Sequence, residues 1–166
     1  MHHVFARGNW RQLVFLDDRD RRLYLRLLAH VTDRQGWRCL AYCLMSNHVH
    51  LVLETPRPNL GDGMRRLHGD YARAFNDRHG RAGHLFQGRY GSNRIDGDAH
   101  LWTTIRYVAR NPVKAGLCDD PRTYAWSSYG ATVRGTAPAW LDVDRLVELF
   151  GGGPTTDRFA DFVSAT

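Results

Sequence analysis

After Asn47 the chain alternates with a period of two. Val49, Leu51 and Leu53 fall on one side of an extended strand, and His48, His50, Val52 and Glu54 on the other. The polar side thus carries two imidazoles roughly 6–7 Å apart along the strand, from the rise per residue. Residues 37–45 read as another strand, with Cys39, Ala41 and Cys43 on one side and Leu40, Tyr42 and Leu44 on the other. Ser46 and Asn47 connect the two tightly, which predicts an antiparallel hairpin. Nearer the start, residues 3–7 and 12–15 form two short extended pieces around Gly8-Asn9, and residues 94–96 form one more short strand.

Between these strands the period changes to that of a helix. Leu23, Tyr24, Leu27, Leu28 and Val31 form the buried stripe of a first helix, capped by Asp17 or Asp18 and ending near Gly36. Thr55-Pro56-Arg57-Pro58-Asn59 breaks the chain before a second helix, whose stripe is Met64, Leu67, Tyr71, Ala74 and Phe75. Arg65, Arg66, Arg73 and Arg78 lie off that stripe, as a solvated basic face or as phosphate contacts. A third helix starts with Asp98 as its cap and stops near Arg110, before Asn111-Pro112. Its apolar arc is Leu101, Trp102, Ile105, Val108 and Ala109. Tyr107 falls roughly 160° from the centre of that arc, beside His100, Thr103, Thr104 and Asn111.

Beyond Gly116, the aromatic run from Tyr124 to Tyr129 suits the sealing of a core edge. Leu141, Val143, Leu146, Val147, Leu149 and Phe150 suggest a short amphipathic helix ended by Gly151-Gly152-Gly153-Pro154, and residues 159–163 a last turn. The element order predicts an α+β fold, a ferredoxin/RRM-like antiparallel sheet of four or five strands covered by helices. Residues 1–130 form the domain and residues 131–166 a short helical tail on or beside it.

At 166 residues, with 43% hydrophobic and 24% charged residues, the chain can bury one real core. It has no apolar run of membrane-spanning length and no signal-peptide layout, so a cytoplasmic, nucleoid-associated protein without a membrane partner is expected. The three cysteines have no metal-type spacing, and Cys39 and Cys43 sit on one strand face too far apart to bridge. Net charge is +6, and Lys114 is the sole lysine among 23 basic residues. Such a surplus points to a polyanionic partner, for which the planar arginine fork suits phosphate.

Two imidazoles on one strand face are commonly ordinary half-exposed residues, and can also converge on a divalent cation. A tyrosine kept for packing would sit in the apolar arc of its helix; Tyr107 does not, and Asn111 shares its side one turn later. The loop at residues 80–90, rich in glycine, arginine and aromatics, suits close approach of a nucleic-acid backbone, or is a plain loop pinned by Leu85 and Phe86.

Five stretches then occur in order: Arg7-Gly8-Asn9, Met45-Ser46-Asn47-His48-Val49-His50-Leu51, Gly83-His84-Leu85-Phe86-Gln87-Gly88-Arg89-Tyr90, Tyr107-Val108-Ala109-Arg110-Asn111-Pro112-Val113-Lys114-Ala115-Gly116-Leu117 and Trp126-Ser127-Ser128-Tyr129. Together they resemble the HUH-type single-strand DNA transposases with one catalytic tyrosine, and among those the REP-associated tyrosine transposases of the IS200-like family. Ser46 departs from the proline expected at its place.

The resemblance implies a DNA-nicking and strand-transfer enzyme with Tyr107 as nucleophile and a covalent 5′-phosphotyrosine intermediate. It implies His48, His50 and Asn111 as ligands of Mg²⁺ or Mn²⁺, with His100 or Glu54 as other candidates for the third place. The implied partner is single-stranded DNA carrying a hairpin and a flanking guide sequence. Candidate DNA contacts are Arg7, Asn9, Arg65, Arg66, Arg73, Arg81, Gln87 and Arg89. Other readings are a non-catalytic RRM-like binding module or decayed transposase, and a metal-dependent hydrolase using water. Monomer and homodimer both remain open.

Overall fold

A computed structural model describes residues 1–151 and 155–164. Four antiparallel strands form one sheet: β1 (His2–Arg7), β2 (Arg38–Leu44), β3 (His48–Glu54) and β4 (Gly91–Arg94), in the order β2-β3-β1-β4. The helices are α1 (Asp18–Gln35), α2 (Leu60–His79), α3 (Asp98–Lys114), α4 (Ser128–Val133), α5 (Val143–Leu149) and α6 (Thr155–Ser164). The first six elements run β-α-β-β-α-β, the ferredoxin-like order, and the α+β class is as expected. Among the described residues no helix is long and apolar enough to cross a membrane.

The sheet is covered on both faces. Val4, Ala6, Tyr42, Leu44, Val49, Leu51 and Leu53 pack with Tyr24 and Leu28 of α1 and with Met64, Leu67, Tyr71 and Phe75 of α2. The opposite face buries Leu40, Ala41, Cys43 and Val52 under Leu101, Ile105 and Val108 of α3, with Tyr129 of α4 and Phe159 of α6. Period two in β3 places its histidines on this second side, so they face a helix and not open water.

Five expectations change. Residues 12–15 are not a strand: the chain turns through a 3-10 segment at Asn9–Arg11, and the Val14 and Phe15 amides donate to the Ser46 carbonyl at 2.9 and 3.3 Å. The alternation in β2 slips, because a register shift between Cys39 and Ala41 adds a residue there. Cys39 thus joins the α1/α2 side with Tyr42 and Leu44, while Cys43 lies on the other. β4 ends at Arg94 and does not include residues 95–96. Finally, α3 begins after Gly97 and runs through Pro112 to Lys114. Proline removes one helical N–H, but Pro112 is buried and the Ala115, Gly116 and Leu117 amides bond back to Asn111, Val113 and Pro112. Gly116, at φ 67°, closes the helix. The final helix is also longer than the turn expected at residues 159–163, and the stop expected at residues 151–154 lies outside the described residues beyond Gly151.

The segment after α3 covers the edge strand β2, which would otherwise expose unpaired backbone. The Leu44 amide donates to Trp126, the Asp142 amide donates to Cys39, and the Ser128 hydroxyl accepts from the Tyr42 amide at 3.0 Å. The α1 and α2 helices are stapled by charge. Asp17 caps α1 and pairs with Arg78, which also pairs with Asp20, a carboxylate only 1% exposed. Burial alone would raise the Asp20 pKa; the Leu16 amide, His79 and Arg78 outweigh it and hold the carboxyl below its ordinary value.

His68 of α2 stacks on Phe86 with centroids 4.3 Å apart, and its Nε2 lies 3.2 Å from the Tyr24 hydroxyl. Burial lowers its pKa from 6.5 to about 4. The unfolded chain therefore takes up a proton there before the folded one does. Stability should fall as pH drops from 6.5 toward about 4 and level off below. His68→Gln should show a shallower acid slope in urea titrations over that window; an unchanged slope would exclude His68 as the cause.

Candidate active site

β1 and β3 build the floor of the site. Their register sets Phe5 opposite His50 and Arg7 opposite His48, so His3, Phe5 and Arg7 share the face of the two histidines. Ring centroids lie 5.1 Å apart for His48 and His50, and 5.2 Å apart for His3 and His50. From above, α3 lowers Tyr107 edge-on toward His50 at 5.3 Å and toward His3 at 5.8 Å. Tyr107 stays 39% exposed and so remains open to a substrate.

Each histidine of β3 has its Nδ1 engaged. His50 Nδ1 lies 3.0 Å from His3 Nε2, and His48 Nδ1 lies 2.7 Å from the Asn47 side-chain oxygen. The arrangement in which both Nδ1–H groups donate leaves two Nε2 lone pairs free, with outer partners fixing each ring. His50 Nε2 is buried without a partner, and so is the Asn111 amide nitrogen. Asn111 lies against His48, where its amide favours the protonated ring. Burial first, then the nearby His48, His3 and Arg7, lowers the His50 pKa to about 3. Burial and Arg7 lower that of His48 as well. Both rings are thus neutral and available as ligands near neutral pH.

Among the described residues, no cluster of three or more His, Cys, Asp or Glu side chains is assembled to hold a metal. Asn111, a buried amide beside His48, stands where the resemblance expects the third ligand. The unpartnered buried Nε2 of His50 fits a metal, since an unpaired buried polar atom is otherwise costly; Asn111 would ligate through its side-chain oxygen, not its amide nitrogen. Glu54 is committed elsewhere, bonded to Arg145 of α5 at 3.0 and 3.1 Å. His100 is exposed on the first turn of α3 and accepts from the Asp96 amide at 3.4 Å.

The candidate DNA contacts divide. Arg7, Gln87 and Arg89 line a cleft of about 300 Å³ together with Phe5, His48 and His50. Arg89 also borders a second cleft, about 470 Å³, shared with Arg65 of α2 and with His68 and Tyr90. Asn9 is half-buried, and its amide holds the Leu85 carbonyl at 2.9 Å. Arg66 and Arg73 are exposed on α2, which packs on the side of the sheet away from α3. Arg81 leans over the Phe75 ring at 5.7 Å, also on the α2 side. Two members were missed by sequence reasoning. His3 is visible only once β1 is registered on β3, and Lys114 once α3 passes Pro112, which brings its ammonium 5.2 Å from the centre of the Tyr107 ring.

Among solved structures, the chain is similar to a REP-associated tyrosine transposase bound to a REP hairpin, with a TM-score of 0.66 and 17% identity over 82% of each chain. That likeness shows a shared fold. A second similar structure, a candidate transposase from Deinococcus radiodurans R1, has a TM-score of 0.48 and 21% identity over 61% of this chain and 83% of that one. No curated protein matches. The family model described as "Transposase IS200 like" matches residues 1–111, two-thirds of the sequence, and the chain belongs to that family.

Proposed function

We propose that this protein is a metal-dependent single-stranded DNA endonuclease and strand transferase that works through Tyr107. The observation that carries this is the juxtaposition of an exposed tyrosine, edge-on to His50 at 5.3 Å, with two neutral imidazoles and a buried amide. A free phenol titrates near 10 and is a weak nucleophile toward an anionic phosphodiester, so charge near the reacting atoms matters. Mg²⁺ or Mn²⁺ held by His48, His50 and Asn111 would polarise the scissile phosphate and offset its developing negative charge.

The chain's own groups supply the rest. His3 and Asn47 hold the two imidazoles in orientation through their Nδ1 atoms. Lys114 places a cation over the Tyr107 ring, where it draws the anionic phosphate in. Tyr107 Oη attacks phosphorus in line. Its proton leaves, the bond from phosphorus to O3′ breaks, and that oxygen takes up a proton. The products are a 5′-phosphotyrosine and a free 3′-hydroxyl. One phosphoester replaces another, so a second 3′-hydroxyl can reverse the step on a new strand without a nucleotide cofactor.

The partner in this proposal is single-stranded DNA with a hairpin and a flanking guide, led along the two clefts joined at Arg89. A binding module reading nucleic acid across the sheet would need a face that α3, α4 and α6 largely cover. The test is incubation of labelled flanked hairpins with Mn²⁺ and a denaturing gel. A band of protein-linked DNA is expected; nicking with no linked species would instead favour a hydrolase using water.

Three smaller effects follow. Asn111→Ala should weaken Mn²⁺ binding about tenfold or more, and cleavage with it; an unchanged metal titration would place the third ligand elsewhere. Lys114→Met should slow adduct formation about tenfold, with Lys114→Arg recovering most of the rate. Affinity should fall with salt, and removing Arg7 or Arg89 should each reduce the log–log slope by about 0.7. Equal binding of flanked hairpin and full duplex across a salt series would defeat the single-strand assignment.

A further inference from the structure

We propose that Trp10 is a stacking platform for an unpaired base of the strand that Tyr107 cuts, a site that rests on the strand-transfer reading above. Trp10 is 92% exposed, whereas the other four tryptophans are buried or half-buried. An indole held in water contributes nothing to the core, so its mount needs another explanation.

That mount is rigid. Trp10 and Arg11 both take positive φ, 51° and 58°, a conformation that bulky side chains avoid. The turn is held from every side. The Gly8 amide donates to Asn47 at 2.8 Å, the Asn9 amide to Leu85 at 2.9 Å, and the Gln12 side chain to Leu85 at 3.1 Å. A Cβ on Gly8 would meet the Gln12 carbonyl oxygen at 2.1 Å, so only glycine lets the turn close.

The same turn is fastened to the active site. The Asn47 side chain donates to the Arg11 carbonyl at 3.2 Å, and its oxygen lies 2.7 Å from His48 Nδ1. One amide therefore links the backbone beside Trp10 to a histidine of the catalytic floor. Arg7 and Arg11, both exposed, stand three residues before and one after Trp10 in the chain, and Arg7 lines the cleft of His48 and His50. A flat exposed ring on a fixed mount, with exposed arginines close by in the chain, matches a base and its phosphates. The competing occupant is a second copy of the chain on Trp10, Leu13 and Leu16, which are 92%, 46% and 44% exposed.

The test is fluorescence anisotropy without divalent metal, using a labelled hairpin with a single-stranded flank and the same stem blunt-ended. Trp10→Asn removes the ring and puts a residue at home in the left-handed region, so the variant should melt no lower than wild type. It should bind the flanked hairpin about tenfold more weakly and the blunt stem equally well. Trp10→Phe should retain most of the affinity. One abasic position in the flank should cost wild type a similar factor and cost Trp10→Asn nothing.

Equal affinity of Trp10→Asn and wild type for the flanked hairpin would overturn the platform. So would an equal loss on both DNAs, or a change in oligomeric state by light scattering with DNA binding intact. If wild type forms the covalent adduct while Trp10→Asn binds normally, only the platform fails. If wild type neither prefers the flank nor forms an adduct, the strand-transfer reading fails and takes the platform with it.

Discussion

Tyr107→Phe should abolish the covalent protein–DNA species, a loss of at least about 10³-fold, while leaving folding and DNA affinity nearly untouched. Only the hydroxyl is removed, and the ring remains to pack edge-on against His50 and His3. With the side chain 39% exposed and outside both cores, the stability change should stay within about 0.5 kcal/mol. Four of the other six tyrosines are poorer nucleophiles on position alone. Tyr24 and Tyr71 are fully buried, and the Tyr71 hydroxyl is spent on the Val14 carbonyl. Tyr124 donates to the Leu44 carbonyl, and Tyr129 is buried against Phe159. Peptide mapping of a trapped wild-type adduct should find the nucleotide on the Tyr107 peptide. An adduct that survives in Tyr107→Phe, or maps to Tyr90, would move the role to another residue.

How much of this arrangement could be read in advance depends on the range of the forces involved. Alternation in β3 is a local signal, and it placed His48 and His50 on one face before any partner was known. The helical wheel likewise separated Tyr107 and Asn111 from the apolar arc. The partnership of His3 with His50 is different, since it depends on β1 lying beside β3 across 47 residues of sequence. The slip in β2 is invisible for a similar reason: a bulge is set by the ladder it must fit. The expectation for α3 failed on a sound local rule, because burial of Pro112 and three recovered backbone bonds outweighed the helix-stopping preference of Asn111-Pro112. Charge was the least legible. Arg78 reads as a solvated or phosphate-binding arginine, and is instead the staple between α1 and α2.

Removing the histidines should separate metal binding from everything else. His50→Ala should reduce Mn²⁺ affinity more than about 100-fold by calorimetry and suppress adduct formation in step, and His48→Ala should do the same. His3→Ala tests the outer layer. It leaves both Nε2 atoms in place and only frees the His50 ring to rotate, so its loss should be smaller, about 10–100-fold. The apo protein should fold in each case, since these rings lie outside both apolar clusters and His50→Ala also removes an unpartnered buried nitrogen. Acidity gives an independent check. A ring held to about 3, with its neighbour also below 6.5, offers its lone pair well into the acid range. Mn²⁺ affinity should therefore hold from neutrality down past 6.5 and decline only below that, as a ring takes up a proton. A decline centred at 6.5 or above would mean that the rings titrate like free histidine. Undiminished Mn²⁺-dependent nicking by a His48→Ala/His50→Ala double variant would remove the metal from this floor altogether.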